Sequence, residues 1–85
     1  MQIGRVVGHA VSTVKHPSLH GWRLLLVQLL GVADKNDGEP VLAIDRLGAA
    51  SGDHVMLCND GAEARAMVNA KDSPARWFVM GIADR

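Results

Sequence analysis

The sequence predicts a mainly β fold: a small, five-stranded, OB-like β-barrel with one short helix before the last strand. Three observations carry this expectation. Glycine and proline punctuate the chain at short intervals, the rhythm of an all-β domain. The segments between them are short and rich in Val, Leu and Ile. A single helix-start signal, Asp60 followed three residues later by Glu63, falls between the fourth and fifth of these segments.

The first strand is placed at 2–14. Ile3, Val7 and Val11 share one parity with Arg5 and His9, while Val6, Ala10 and Val14 share the other with Gly4, Gly8 and Ser12. Both faces are partly apolar, which fits a strand buried on one side and touching a neighbour on the other. Gly4 and Gly8 permit a bend or a close backbone approach. Residues 15–21 follow as a loop fixed by Pro17 and Gly21.

The segment 22–30 is the most apolar and reads as either a strand or a buried helix. Its shortness, the preceding Gly21 and the turn after it favour a strand. That turn spans 34–40, with Asp37-Gly38 as the hairpin signal and Pro40 where a strand can start. A third strand is expected at 41–45, a tight small-residue loop at 48–53 and a fourth strand at 54–58. A short helix at 61–68 and a last strand at 77–84 complete the chain. Closing five strands into a barrel removes exposed edges.

At 85 residues this is one domain, 1–85. Its 48% hydrophobic content is more than so small a monomer easily hides, so apolar surface is expected either at a binding patch or between subunits. Nine basic residues balance nine acidic ones, against the basic excess usual in nucleic-acid binders. The lone Cys58 allows no internal disulfide, which fits a reducing cytoplasm. The opening residues show no basic region followed by an apolar stretch, so no secretory leader is expected. The apolar run 24–27 is too short to span a bilayer.

No motif points to catalysis, a cofactor or a metal. His16 and His20 are four apart, but Pro17 and Gly21 argue against the helix that would align them. His54 and Cys58, on a predicted strand, stand about 13 Å apart, too far to share one ion. The 34–39 segment has its glycine one position too early for a calcium loop. The 48–52 segment lacks the Lys-Ser/Thr ending of a phosphate loop and leads into no helix. Ser51 is not in a nucleophile elbow, and Cys58 on a strand of Val, Met and Leu reads as a small buried hydrophobe. An OB-like barrel can bind single strands by stacking and a basic groove, but Trp22, Trp77, Phe78, Lys15, Arg23 and Arg46 make a thin set for it.

Taken together, five stretches carry a resemblance: GHAVSTVKHPSLHG at 8–21, LLLVQ at 24–28, AIDRLGAASGDHV at 43–55, GAEAR at 61–65 and VMGIAD at 79–84. In order, and over nearly the whole chain, they resemble the EutN/CcmL family of bacterial microcompartment shell proteins. Ala50 stands where the family often has glycine, and Trp22 where a smaller or basic side chain is common. The resemblance implies a non-enzymatic, cytoplasmic homopentamer that caps vertices of a carboxysome-like shell. Its implied partners are hexameric and pseudohexameric (trimeric) shell proteins, with no nucleic acid, no membrane and no cofactor. The alternatives are an OB-like single-stranded nucleic-acid-binding module or a small-ligand-binding oligomer. For shell contacts or the rim of a five-fold axis, the candidate residues are Thr13, Lys15, His16 and Ser18 in one loop. Gly48, Ala49, Ala50, Ser51, Gly52 and Asp53 are those in the other.

Overall fold

The computed structural model of the chain describes residues 2–10, 17, 21–71 and 73–83. Five strands form one closed barrel: β1 (Gln2–Ala10), β2 (Leu24–Leu29), β3 (Val41–Ile44), β4 (His54–Asn59) and β5 (Trp77–Ala83). One helix, α1 (Gly61–Met67), lies between β4 and β5. The order around the barrel is β1-β2-β3-β5-β4. The pairs β1–β2, β2–β3, β1–β4 and β4–β5 are antiparallel. The closing seam, β3 against β5, is parallel and short, with Ala43 opposite Trp77 and Ile44 opposite Phe78. The predicted barrel and its single helix are therefore the observed fold.

Strand alternation explains why the 22–30 segment is ambiguous as sequence. Leu25 and Val27 enter the barrel core with Val6, Ala43, Val55, Leu57 and Val79. Leu24, on the opposite parity, enters a second cluster outside the barrel wall with Ile44, Ala64, Ala75 and Phe78, beneath α1. A strand with buried residues on both faces and an apolar one at its exposed position, Leu26, loses the period-2 signature and reads as a continuous apolar run. Its one polar residue, Gln28, is buried and lies against the following turn. Gln28 Nε2 is within 3.1 Å of the carbonyl of Leu29, 3.4 Å of that of Asp37 and 3.0 Å of that of Gly38. The β2–β3 connection also holds a 3-10 turn, Val32–Asp34, and a bridge between Leu30 and Asn36, neither signalled by the sequence.

The helix begins as its cap signal requires. Asp60 is extended and its carboxylate accepts the Glu63 N–H at 3.1 Å. α1 is only seven residues, too short to hold itself in water. Ala64, fully buried in the second cluster, fastens it to the barrel. Asp60→Ala is expected to cost about 1 kcal/mol. Chemical denaturation would register it as a lower midpoint with unchanged slope, and an unchanged midpoint would refute the capping role.

Candidate functional site

The loop after β3 is the more fully described of the two candidate regions; Thr13, Lys15, His16 and Ser18 lie outside the described residues. It is organised by a carboxylate at its root. Asp45 follows the last residue of β3, and its N–H donates to the Arg23 carbonyl at 2.9 Å, extending the strand pairing by one step. The Asp45 side chain is fully buried. Its Oδ1 accepts the Leu47 N–H at 2.8 Å, its Oδ2 accepts the Ala49 N–H at 3.0 Å, and Gly48 N–H reaches both oxygens. Three successive N–H groups turned onto one anion form a nest, the geometry that elsewhere binds phosphate. Here the chain's own carboxylate fills it.

Arg23 completes the arrangement. Its Nε sits 3.0 Å from Asp45 Oδ2, and its Nη2 donates to the Ala49 carbonyl. The same Nη2 lies 2.9 Å from His9 Nε2. A guanidinium can only donate, so this imidazole nitrogen accepts. Arg23 thus ties β1, the start of β2 and the loop together. It is unavailable as a free cation for a phosphate backbone. Of the aromatics weighed for stacking, Trp22 packs against the second cluster and Trp77 against the barrel core.

The rest of the loop is fastened to β1. Gly52 N–H donates to the Val6 carbonyl at 2.8 Å, and Val6 N–H donates to the Asp53 carbonyl at 2.9 Å. Asp53 Oδ2 accepts the Ala50 N–H at 2.9 Å. Gly48 and Gly52 adopt φ of +86° and +91°, left-handed conformations that favour glycine. Ala49 points inward, fully buried in the barrel core, so it anchors the loop from within. Gly48, Ala50, Ser51 and Gly52 are exposed and Asp53 is half-buried. The result is a rigid rim of backbone and small side chains, with its polar groups already paired at the root. It can accept a closely approaching surface, and it brings no nucleophile and base together.

Elsewhere, a half-open apolar groove of about 320 Å³ lies along the short β3–β5 seam, with Leu24, Leu42, Pro74 and Trp77 in its lining and Arg76 as its charged member. Cys58 is free and packs against the second cluster. Among the described residues no three His, Cys, Asp or Glu side chains converge as a metal centre would need, and no helix is long and apolar enough to cross a membrane.

The family model described as "Ethanolamine utilisation protein EutN/carboxysome" matches residues 1–84. The chain belongs to the EutN/CcmL family. It is 36% identical over 84 residues to the microcompartment shell vertex protein EutN of Escherichia coli K12, covering 99% of this chain and 87% of that protein. It is 38% identical to the carboxysome shell vertex protein CcmL of Gloeobacter violaceus, covering 99% of this chain and 83% of that one. Among solved structures, the pentameric microcompartment shell protein GrpN of Rhodospirillum rubrum superposes with a TM-score of 0.79 at 33% identity. That match covers 100% of this chain and 95% of GrpN.

The sequence marks the 48–53 loop of this EutN/CcmL chain by its small residues, but not the pair that builds it. Arg23 reads there as one of a few basic residues, and Asp45 as the end of a strand and one of several scattered carboxylates. The available signal was the Asp45-x-Leu47-Gly48-Ala49 spacing, an acid two to four residues ahead of N–H groups that need an acceptor.

Proposed function

We propose that this chain assembles into a closed ring of five identical subunits that caps the vertices of a bacterial microcompartment shell. The observation that carries the reading is the whole-length match to shell vertex proteins, joined to a barrel that superposes on a pentameric shell protein. The geometry of shells supplies the reason. A flat hexagonal sheet cannot close, and five-fold units at its corners let it do so. One heterologous contact repeated by rotation makes such a unit. The partners are the hexameric and pseudohexameric proteins that tile the facets. The role is architectural rather than enzymatic, and the compartment is cytoplasmic. Native mass spectrometry of the purified protein should give a species of five 9.1 kDa chains. A monomer at every concentration would refute the ring.

The 48–53 rim is assigned to contacts with neighbouring tiles or to the border of the five-fold axis, together with Thr13, Lys15, His16 and Ser18. Gly48→Glu or Gly52→Glu should therefore impair shell assembly. Nothing lies within 4 Å of a Cβ placed at either glycine, so within the subunit the penalty is the positive φ alone. That penalty is roughly 1–2 kcal/mol and is shared by Gly48→Ala. Co-expression with facet proteins separates strain from contact. Gly48→Glu should abolish closed shells and Gly48→Ala should retain them. Normal shells from both glutamate variants would remove this loop from the contact.

A further inference from the structure

At each of the two register shifts among the described strands an apolar side chain lies on the outer surface of the barrel. Between Val6 and Gly8 the β1–β2 register slips, leaving Val7 as the extra residue, 46% exposed. Between Met56 and Leu57 the β4–β5 register slips, leaving Met80 as the extra residue, 48% exposed. A glycine follows each of them, and each glycine lies under a long apolar side chain. A Cβ on Gly8 would sit 3.9 Å from Leu26 Cδ1, and one on Gly81 would sit 3.9 Å from Met56 Sδ. Bulges re-aim side chains at functional surfaces.

Each bulge belongs to a row running across three strands. On one wall Gly8 pairs with Leu26 and Leu26 with Leu42, so Val7, Leu26 and Leu42 form an exposed apolar band over β1, β2 and β3. On another wall Ile3 pairs with Met56 and Met56 with Gly81, so Ile3, Met56 and Met80 form a second band over β1, β4 and β5. A ring of more than two members needs two different patches on every subunit, each fitting the other. This barrel carries two apolar bands of different composition.

We propose that these two bands are the two halves of the contact between adjacent copies of this chain, the Val7–Leu26–Leu42 band of one subunit meeting the Ile3–Met56–Met80 band of the next. The assignment rests on the ring reading above and names the surfaces that make it.

The test uses Leu26→Asp and Met80→Asp, which introduce charge at positions already partly in water. Native mass spectrometry of each variant alone should show the five-subunit species reduced more than tenfold, leaving monomer. The two variants are then mixed well above the concentration at which the unaltered ring is complete. Each retains the band the other lacks, so a two-subunit species containing one copy of each should appear. Circular dichroism checks folding, and Leu42→Ser with Ile3→Ser carry the same test if an aspartate variant fails that check. If either variant keeps the five-subunit species, or pairs with itself, the band assignment is overturned while the ring stands. An unaltered protein that forms no ring overturns the ring reading itself.

Discussion

Asp45→Ala is expected to destabilise the chain by about 3–5 kcal/mol, chiefly because it strips the acceptor from three successive N–H groups and also removes the partner of a half-exposed arginine. For a domain whose whole stability is about 5–15 kcal/mol, that is a large share. The two partners should not cost the same. Arg23 is 42% exposed and can turn to water when Asp45 is gone, so most of the loss comes from the N–H groups. Arg23→Ala leaves the three N–H groups satisfied and should cost only about 1–2 kcal/mol. Thermal unfolding at fixed protein concentration checks both, since the stability of an assembly depends on concentration. Asp45→Ala should lower Tm by more than about 10 °C, at roughly 4–8 °C per kcal/mol for a domain of this size. A drop smaller than that of Arg23→Ala would contradict the view that Asp45 organises the loop.

Gly4→Val should be the most damaging change at a glycine. Gly4 is buried on β1, between β2 and β4, with Leu29 and Val55 opposite it. A Cβ there would overlap Val27 Cγ1 and approach the Gln28 carbonyl oxygen to 3.1 Å and Leu57 Cδ1 to 3.4 Å. The carbonyl belongs to a paired strand and cannot yield alone. The expected cost is about 3 kcal/mol or more, at the upper end for overpacking. Gly8→Ala meets only the ordinary contact with Leu26 and should stay within about 1 kcal/mol. Urea midpoints of the two variants decide the matter. Similar midpoints would mean that the barrel interior has room the packing does not show.

These two glycines illustrate what the sequence could and could not convey. Both are legible as sites of bending or close approach, and each does one of these. Gly4 allows side chains and backbone of the flanking strands β2 and β4 to approach β1 closely, and Gly8 sits at a register shift. Which does which depends on partners from other strands. The strands, the Asp60 cap and the small-residue loop at 48–53 are legible because their causes are local: short apolar segments between glycines and prolines, a carboxylate three residues ahead of an N–H, and clustered small residues. The pairing of Arg23 with Asp45 is not, because two strands and the connection between them separate the two residues in the chain. The parallel β3–β5 seam rests on two residue pairs and leaves almost no pattern to read. Leu24 and Leu25 look alike in sequence yet serve different cores, since only the placement of α1 creates the second one. Likewise the register shifts beside Val7 and Met80 arise from pairing with other strands and leave no mark in the sequence.

This EutN/CcmL chain should be what lets shells close at their vertices. Co-expressing the facet-forming shell proteins with and without it, and imaging the products by electron microscopy, decides the point. With the chain present, closed polyhedral particles should form. Without it, the same tiles should give open sheets, tubes or particles with gaps at the corners. Equally closed particles in its absence would contradict the vertex role.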